Sequence, residues 1–262
     1  MCAWKRKPEK ECGVIVGCDS AQEWLLAWWW ERYSAENAFP VSFVDMGMTP
    51  SAQQWCRKRG ELIALNLDRS FIKGREEIEP ELMHKWDHSP DVSPDIWESR
   101  SKWFKKPFAL LHSPFKRSVW LDLDCEVLGS IHALFSQDAS FELALVREYA
   151  SSHLPRIHPD VRYNGGVIVF AHGSEILQKW ADAAVTRNQC FPSDDVLLSA
   201  LIYECAFPVQ ELPEIYNWVL RWGLNINAII LHWCGPAGKA YIKNQGGIKP
   251  ALQALFLGER DV

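Results

Sequence analysis

The chain has 262 residues, of which 48% are hydrophobic and 12% aromatic. This length and apolar content are sufficient for one large α/β domain with a sizeable buried core. The formal net charge of -5 argues against the strongly basic surfaces with which proteins bind nucleic acids or anionic membranes. We therefore expect no nucleic-acid partner.

The cysteines and the apolar runs bear on the cellular compartment. The eight cysteines contain no Cys-x-x-Cys pair, and we interpret them as free thiols of a reducing compartment. The longest apolar run, residues 24–30, is too short to span a bilayer. These features predict a cytoplasmic protein without a transmembrane segment.

Strands and helices alternate in the first third of the chain. Apolar runs predict strands at residues 13–17, 41–46 and 62–65. Ser20 and Glu23 have the spacing of a capping box, which predicts a helix from Ser20 to about Tyr33. Thr49 followed by Pro50 predicts the start of a second helix. This alternation is typical of a doubly wound sheet, whose ligands bind at the carboxyl ends of the strands.

The segment at about 66–100 differs from the rest in composition. Acidic residues and three prolines punctuate it. Such a composition predicts an insertion at the protein surface. The alternative is a mobile flap that orders over a bound ligand.

An apolar strand that begins at Ser118 leads into Asp122 and Asp124. Side chains two positions apart on a strand point to the same face, so these carboxylates repel each other unless a cation lies between them. A hard divalent cation that also binds a nucleotide diphosphate meets that requirement. The alternative is that the carboxylates cap the next helix or face the solvent.

The second half of the chain contains further predicted strands and helices, and polar residues stand at their ends. Strands are predicted at residues 141–146, 165–170 and 227–232, and helices at 174–186 and 193–205. Asn164, the pair Asp194-Asp195 and His232 stand at ends of these elements, as Asp19 does after the first strand. Without an internal repeat or a low-complexity linker, the sequence predicts one domain over residues 1–262.

The order and spacing of these motifs resemble the retaining sugar-nucleotide glycosyltransferases of the GT-A fold, the family 8 group that contains glycogenin and bacterial lipooligosaccharide galactosyltransferases. In that family an apolar strand delivers Asp-x-Asp. Asn-x-Gly, then Asp-Gln before a Leu-rich helix, and finally His-x-x-Gly follow it. The resemblance runs from about residue 13 to 243 and implies an α/β protein with the GT-A fold, a single Rossmann-like mixed sheet flanked by helices.

The resemblance implies a metal site and its ligands. Asp122 and Asp124 correspond to the metal-binding pair, and His232 corresponds to the third protein ligand. The metal in this family is typically Mn²⁺, with Mg²⁺ possible, and a set of carboxylates and imidazole is chemically consistent with Mn²⁺. Taken alone, His232 is better explained as a histidine of the core or of a loop.

The resemblance also implies residues that bind the nucleotide. Lys239 and the backbone of Gly235 correspond to groups at the donor phosphates. The family spacing is His-x-x-Gly-x-x-Lys, whereas this chain has one extra residue before Lys239, so Lys243 is an alternative. Lys106 stands near the donor-binding arginine of relatives. Asp19 corresponds to a residue that meets the uridine, and the alternative is a helix cap.

The remaining family positions concern the sugar. Asn164 and Gly165 match the Asn-x-Gly whose asparagine touches the donor sugar, although Asn-Gly also favours a turn without any ligand. Asp194 corresponds to the residue that binds sugar hydroxyls. Asp195 corresponds to the group on the β-face of the sugar, where a carboxylate stabilises or attacks an oxocarbenium-like centre. The alternative is that one of the two aspartates caps the following helix.

The resemblance carried by these residues implies a metal-dependent hexosyltransferase that moves a sugar from a UDP-sugar to a hydroxyl acceptor with retention. The acceptor is left open between a glycan, a lipid-linked and a protein group. One alternative is a haloacid-dehalogenase-like phosphohydrolase with Asp122 as the nucleophile. Another is an inactive protein that binds a sugar nucleotide or a glycan.

Overall fold

The computed structural model describes most of the chain. The described residues are 7–67, 71–89, 92, 95–136, 140–149, 155, 158–223 and 225–249. Parts of the predicted 66–100 insertion therefore lie outside the described residues.

Ten strands form two sheets. They are β1 (Lys10–Cys18), β2 (Val41–Asp45), β3 (Glu61–Ala64), β4 (Phe115–Leu121), β5 (Cys125–Val127), β6 (Leu143–Arg147), β7 (Tyr163–Ala171), β8 (Gln210–Glu211), β9 (Trp218–Val219) and β10 (Ile230–His232) among the described residues. The larger sheet has the order β3-β2-β1-β4-β7-β6-β8, and the smaller has the order β5-β10-β9. Strands β3, β2, β1 and β4 run parallel, whereas β7 runs antiparallel to both β4 and β6. The predicted mixed sheet is confirmed.

Helices flank the larger sheet. They are α1 (Leu25–Glu36), α2 (Pro50–Arg57), α3 (Pro80–His88), α4 (Ile96–Trp103), α5 (Lys106–Leu110), α6 (His132–Ser136), α7 (Glu175–Thr186), α8 (Asp194–Glu204) and α9 (Gly235–Gln245). Consecutive residues of the central strand β1 supply opposite faces, because Val14 and Val16 pack into one apolar core and Ile15 into the other. All three are fully buried, as expected for a parallel strand covered on both faces.

The first helix begins later than its capping box predicts. α1 begins at Leu25, and Trp24, which precedes it, makes no side-chain cap. Glu23 instead accepts hydrogen bonds from the amide and the hydroxyl of Thr49, at 2.8 and 2.7 Å. The capping-box prediction is wrong because this long-range pair replaces the local one. α2 begins at Pro50 as predicted, and the Thr49 hydroxyl caps it by accepting the amide of Ala52.

The described part of the 66–100 segment contains α3 and most of α4. Ile78, Trp86 and Ile96 form a small apolar cluster of their own. Arg100 connects α4 to the rest of the chain, because its guanidinium donates to the carbonyl of Asn188 at 2.8 Å and also to that of Phe191. The role of this segment as a surface insertion stays a prediction.

Two further expectations concern helices and thiols. Across the described residues, no helix combines the length and the apolar character needed to cross a membrane. The cysteines of that part of the chain are free thiols, as expected. The cytoplasmic location stays a prediction.

Candidate active site

Asp122 and Asp124 lie in a tight turn rather than on one strand. β4 ends at Leu121 and β5 begins at Cys125. The amide of Cys125 donates to the carbonyl of Asp122 at 3.0 Å, which closes the turn. The expected strand geometry is therefore wrong, but the turn brings both carboxylates to one cleft.

His232 joins the two aspartates. It is the last residue of β10 and pairs with Cys125 of β5. Its Nε2 atom lies 3.4 Å from Asp124 Oδ1 and 3.9 Å from Asp122 Oδ2. One ligand atom from each of the three side chains lies within 4.8 Å of the others. Two carboxylates and one imidazole in this arrangement form a candidate metal-binding group.

The side chain of Asn164 determines which nitrogen of His232 faces the carboxylates. Asn164 Oδ1 accepts the backbone N–H of Gly166 at 2.9 Å, which identifies this atom as the oxygen, because a backbone amide only donates. The same oxygen lies 3.1 Å from His232 Nδ1, so the hydrogen of a neutral ring is assigned to Nδ1. Nε2 then presents its lone pair to the carboxylates. A histidine held in this way through its other nitrogen is typical of metal ligation.

Asn164 is itself held on two sides. Its Nδ2 atom donates to Glu148 at 3.0 Å, and Asn217 Nδ2 donates to its oxygen at 2.9 Å. Both asparagines are buried. Asn164 therefore supports His232 in this structure, and its contact with a donor sugar stays a prediction.

The strand that carries Asn164 bulges at the site. The pairing of β6 with β7 changes register after Leu145, so residues 165–167 lie between the paired Asn164 and Ile168. Bulges re-aim side chains and are common beside active sites. The carbonyl of Gly166 accepts the amide of Asp122 at 2.9 Å, which ties the bulge to the aspartate turn.

The two glycines of the bulge face different parts of the site. A Cβ on Gly166 lies only 2.4 Å from the His232 ring, closer than real atoms approach. A Cβ on Gly165 lies 3.3 Å from Lys106 Nζ and 3.3 Å from the Cβ of Asp195. Glycine at 166 thus makes room for the histidine.

Lys239 reaches the site despite its extra residue. α9 begins at Gly235, whose left-handed backbone has a φ of 81°, and Lys239 Nζ lies 2.6 Å from Asp124 Oδ2. Lys243, the sequence alternative, lies one turn further along α9 and is exposed. The structure therefore brings Lys239 rather than Lys243 to the carboxylates. Contact of Lys239 or Gly235 with a diphosphate stays a prediction.

Asp124 is strongly held in its charged form. Burial by itself raises the pKa of Asp124, but the neighbouring Lys239 and His232 more than offset it and hold that pKa well below its usual range. Burial also lowers the pKa of Lys239, and the charge of Asp124 raises it overall. The Asp124–Lys239 pair is therefore ionised at neutral pH.

Lys106 is the centre of a second group of charges. Its Nζ atom donates to Asp122 at 3.1 Å and to the carbonyl of Gly165 at 3.0 Å, and it lies 3.5 Å from Asp194 Oδ2. The lysine is buried, not solvated as helix-start lysines commonly are. Burial lowers the pKa of Lys106, but the charges of Asp122, Asp194 and Asp195 outweigh it and raise that pKa overall.

Asp194 and Asp195 form the first turn of α8, and neither is its cap residue. Ser193 precedes the helix, and its hydroxyl donates to Asp195 Oδ1. Ser193 makes no side-chain cap, however, and Asp195 Oδ1 accepts the amide of Val196 at 2.8 Å, so Asp195 does bond to the first turn of the helix. Burial raises the pKa of Asp194 to about 7, with Lys106 lowering it and Asp195 and Asp122 raising it further. Asp194 Oδ2 is buried and has no hydrogen-bond partner among the described residues.

Asp19 lines the same cleft as the aspartate turn. This cleft is open to solvent and is also lined by Asp122, Asp124 and Lys239. Asp19 Oδ1 accepts the amide of Ala21 at 3.0 Å in the turn that precedes α1. Because α1 begins only at Leu25, the helix-cap alternative for Asp19 is wrong. Its contact with a uridine stays a prediction.

Solved structures with the same architecture include several that are distant in sequence. No family model and no curated protein matches the sequence. An active-site mutant of LgtC is 12% identical, with a TM-score of 0.57 over 86% of this chain and 88% of LgtC. LgtC, a galactosyltransferase solved with donor and acceptor sugar analogs, is 14% identical, with a TM-score of 0.56 over 86% of this chain and 88% of LgtC. GlyE of Streptococcus pneumoniae TIGR4, a glycosyltransferase, is 17% identical, with a TM-score of 0.58 over 86% of this chain but only 55% of GlyE.

The chain has the GT-A fold of glycosyltransferases. On this fold Asp122, Asp124 and His232 fit a divalent cation. Their ligand atoms converge, and the lone pair of His232 is directed at the carboxylates by Asn164. The donor set of oxygens and one imidazole nitrogen also matches what such cations accept.

Several residues of the site escape sequence reasoning. Glu148 and Asn217 contact Asn164 from 16 and 53 residues away, and no local pattern marks them. Trp120 Nε1 donates to Asp122 Oδ1 at 2.7 Å, which its position two residues earlier on the strand could have suggested. Two consecutive glycines inside a predicted strand are a signal for a bulge or a close approach, and Gly166 provides both.

Proposed function

We propose that this protein is a metal-dependent retaining glycosyltransferase that moves a hexose from a UDP-sugar to a hydroxyl group of an acceptor. The convergence of Asp122, Asp124 and His232 within 4.8 Å on a GT-A fold carries this proposal. The solved structures with this fold are glycosyltransferases, which supports glycosyl transfer as the class of reaction. The sugar analogs bound to LgtC support a nucleotide-sugar donor.

The three converging side chains would hold Mn²⁺, with Mg²⁺ as the alternative. The carboxylates of Asp122 and Asp124 suit both cations, and the imidazole of His232 favours Mn²⁺. When bound, such a cation supplies positive charge that stabilises the departing diphosphate.

Two lysines add positive charge on either side of the aspartate turn. Lys239 lies against Asp124 and lines the cleft, and both observations support a role for it in binding the donor phosphates. Lys106 lies between Asp122 and Asp194. The positive charge of Lys106 keeps these two carboxylates close together, because without it they would repel each other.

The two aspartates of α8 have different proposed roles. Asp194 is buried, and one of its oxygens lacks a hydrogen bond among the described residues, so it is suited to accept a sugar hydroxyl. Asp195 is less buried, and its charge acts on Lys106. On the β-face of the donor sugar, its carboxylate would stabilise positive charge at the anomeric carbon.

The fold favours this proposal over a phosphohydrolase with Asp122 as nucleophile. The carboxylate of Asp122 is already bonded by Trp120 and Lys106, at 2.7 and 3.1 Å.

An inactive sugar-nucleotide-binding protein shares the binding properties of an active enzyme and differs in turnover. The decisive experiment therefore measures turnover.

A donor screen tests the proposal. UDP-, GDP- and ADP-hexoses are incubated with the protein and Mn²⁺, and the released nucleotide is measured, with a phosphomonoester substrate alongside. We expect slow UDP release from at least one UDP-hexose, and its loss in chelator and in Asp124→Asn. Asp160→Asn is the matched control, because its carboxylate is 76% exposed. Phosphomonoester hydrolysis without nucleotide release would contradict the proposal.

A further inference from the structure

Arg100 of α4 is a buried arginine without a carboxylate partner. It is 2% exposed, and it forms no ion pair with any described residue. Burial lowers the pKa of Arg100 to about 10, so its guanidinium still carries a charge at neutral pH. Burying an unpaired charge costs free energy unless hydrogen bonds compensate for it. The hydrogen bonds that Arg100 makes therefore indicate its role.

The hydrogen bonds of Arg100 connect it to one loop, residues 188–192. The guanidinium donates to the carbonyl of Asn188 at 2.8 Å, to that of Pro192 at 3.2 Å and to that of Phe191. Phe191 has extended backbone outside the strands of either sheet, so its carbonyl has no donor from a helix or a strand ladder. Arg100 supplies that donor.

The 188–192 loop leads directly into the start of α8. Ser193 follows the loop, and its hydroxyl donates to Asp195 Oδ1. Asp194 is held separately, because Trp180 Nε1 donates to its carbonyl at 2.9 Å. The position of the Asp195 carboxylate therefore depends on the loop more than that of Asp194 does.

The helix that carries Arg100 also forms part of the wall of the cleft. Lys102 and Trp103, two and three residues after Arg100, both line the cleft. The guanidinium lies over the rings of Trp86 and Phe104, 5.1 and 5.0 Å from their centroids, and these contacts help to fix it in place. α4 therefore connects the wall of the cleft to the loop that precedes α8.

We propose that Arg100 is a positioning residue for Asp195. Its guanidinium holds the 188–192 loop, the loop fixes Ser193, and Ser193 orients the carboxylate of Asp195. This inference rests on the proposed function and adds to it a residue that contacts neither the substrate nor the cation. A misplacement of about 1 Å at a reacting group can lower a rate by about 100-fold, so an arginine outside the cleft can control turnover.

A double-mutant cycle of Arg100→Met and Asp195→Asn tests this proposal. Methionine keeps an apolar stem and removes every donor. We expect Arg100→Met to lower kcat for a UDP-hexose by about 10-fold or more, and to leave the Kd of UDP in Mn²⁺ within about 3-fold of the parent value. In the Asp195→Asn background the same change should lower kcat by no more than about 3-fold, because the carboxylate through which Arg100 acts is already lost.

Two further variants separate positioning from general support of the fold. Arg117→Met is the matched control, because Arg117 also donates to a phenylalanine carbonyl, that of Phe141 at 3.1 Å, and lies over the same ring. It stands near the start of β4, at the opposite end from the aspartate turn, so its kcat should equal that of the parent. Arg100→Lys keeps one charged donor and should recover part of the lost kcat. It replaces Arg100→Met in the cycle if the methionine variant does not fold.

Deuterium uptake, measured by mass spectrometry, tests the loop without any turnover. In Arg100→Met, residues 188–199 should exchange faster than in the parent, and residues 115–127 should exchange at the parent rate. Unchanged exchange over 188–199, an unchanged kcat, or equal kcat losses with and without Asp195→Asn overturns the proposal. A parent protein that releases no UDP from any UDP-hexose contradicts the proposed function instead, and the exchange measurement still decides whether Arg100 holds the loop.

Discussion

The two sides of the candidate site balance their charges differently. On one side Asp124 faces Lys239, whose Nζ atom lies 2.6 Å away, and His232, whose Nε2 atom lies 3.4 Å away. We call these three residues the metal-side cluster. Burial opposes ionisation of Asp124, and its partners outweigh burial, so its pKa lies well below the usual range.

On the other side one lysine serves several carboxylates. Lys106 lies 3.5 Å from Asp194 and donates to Asp122, and Asp195 adds a third negative charge. We call Lys106, Asp194 and Asp195 the sugar-side cluster. Burial dominates at Asp194 and raises its pKa to about 7.

The comparison separates binding from chemistry. A carboxylate that stays ionised at every physiological pH is suited to hold a cation throughout turnover. A cluster with more negative than positive charge is suited to stabilise positive charge that develops in the transition state. Buried groups with strongly shifted pKa values are also common at functional sites.

The largest effect should come from removing the charge of Asp195. If the sugar-side cluster acts in the chemical step, Asp195→Asn should lower kcat by about 100-fold, because an electrostatic transition-state contact is lost. UDP-sugar affinity should stay within about 3-fold of the parent value, since the contacts that hold the donor before the reaction are unaffected. Steady-state kinetics and calorimetry measure both quantities. Glu204→Gln, the same change at an exposed carboxylate of α8, is the control.

The adjacent glycines sharpen the comparison, because each faces one cluster. In Gly166→Ala the new Cβ collides with the His232 ring, so Mn²⁺-dependent UDP affinity should fall by about 10- to 100-fold. In Gly165→Ala the contacts with Lys106 and Asp195 are 3.3 Å, so UDP affinity should change little. Calorimetry of both variants measures this, with circular dichroism to confirm folding. Equal losses in the two variants would contradict the division into clusters.

A smaller effect is the pH dependence of stability that Asp194 contributes. Its pKa is about 7 when folded and 3.8 as the ordinary value, so between these values the folded state holds a proton that the unfolded state lacks. The contribution is complete below the lower pKa and is lost as pH rises through the higher one. As the pH rises between these values, the unfolding free energy of the parent should therefore fall more steeply than that of Asp194→Asn. The difference between the two slopes should be about 1.4 kcal/mol per pH unit.

Urea denaturation at several pH values between 4 and 7, with chelator present, measures this difference. Groups other than Asp194 cancel between the two proteins, because they are common to both. Parallel stability curves for the parent and Asp194→Asn would show that Asp194 is ionised in the folded protein at those pH values, as a normal surface carboxylate is.

Much of the fold follows from local patterns in the sequence. Apolar runs locate β1, β2 and β7 to within a few residues, because strands buried on both faces need continuous apolar sequence. The Thr49-Pro50 start of α2 is equally local. Glu23 shows the limit, since its partner Thr49 lies 26 residues away and the capping box with Ser20 does not form.

The site shows the same division between local and long-range information. Motif order identifies Asp122, Asp124 and His232, which converge. It does not reveal the turn that holds the aspartates, which depends on the pairing of β5 with β10. It also does not choose between Lys239 and Lys243, because that choice depends on where α9 begins.

The support of His232 lies furthest from sequence reasoning. The resemblance assigns Asn164 to the donor sugar, whereas its oxygen in this structure bonds to His232 and Gly166. Its partners Glu148 and Asn217 come from loops, directly after β6 and directly before β9. Contacts of this kind arise only when distant segments pack, so no local spacing encodes them.

Titration of UDP by calorimetry tests the central claim that Asp122, Asp124 and His232 hold a cation for a nucleotide. The account predicts that UDP binds at least about 10-fold more tightly in Mn²⁺ than in chelator, a difference of about 1.4 kcal/mol. Asp124→Asn should remove that difference, and Asp160→Asn should preserve it. Equal UDP affinity in Mn²⁺ and in chelator for the parent protein would contradict the account.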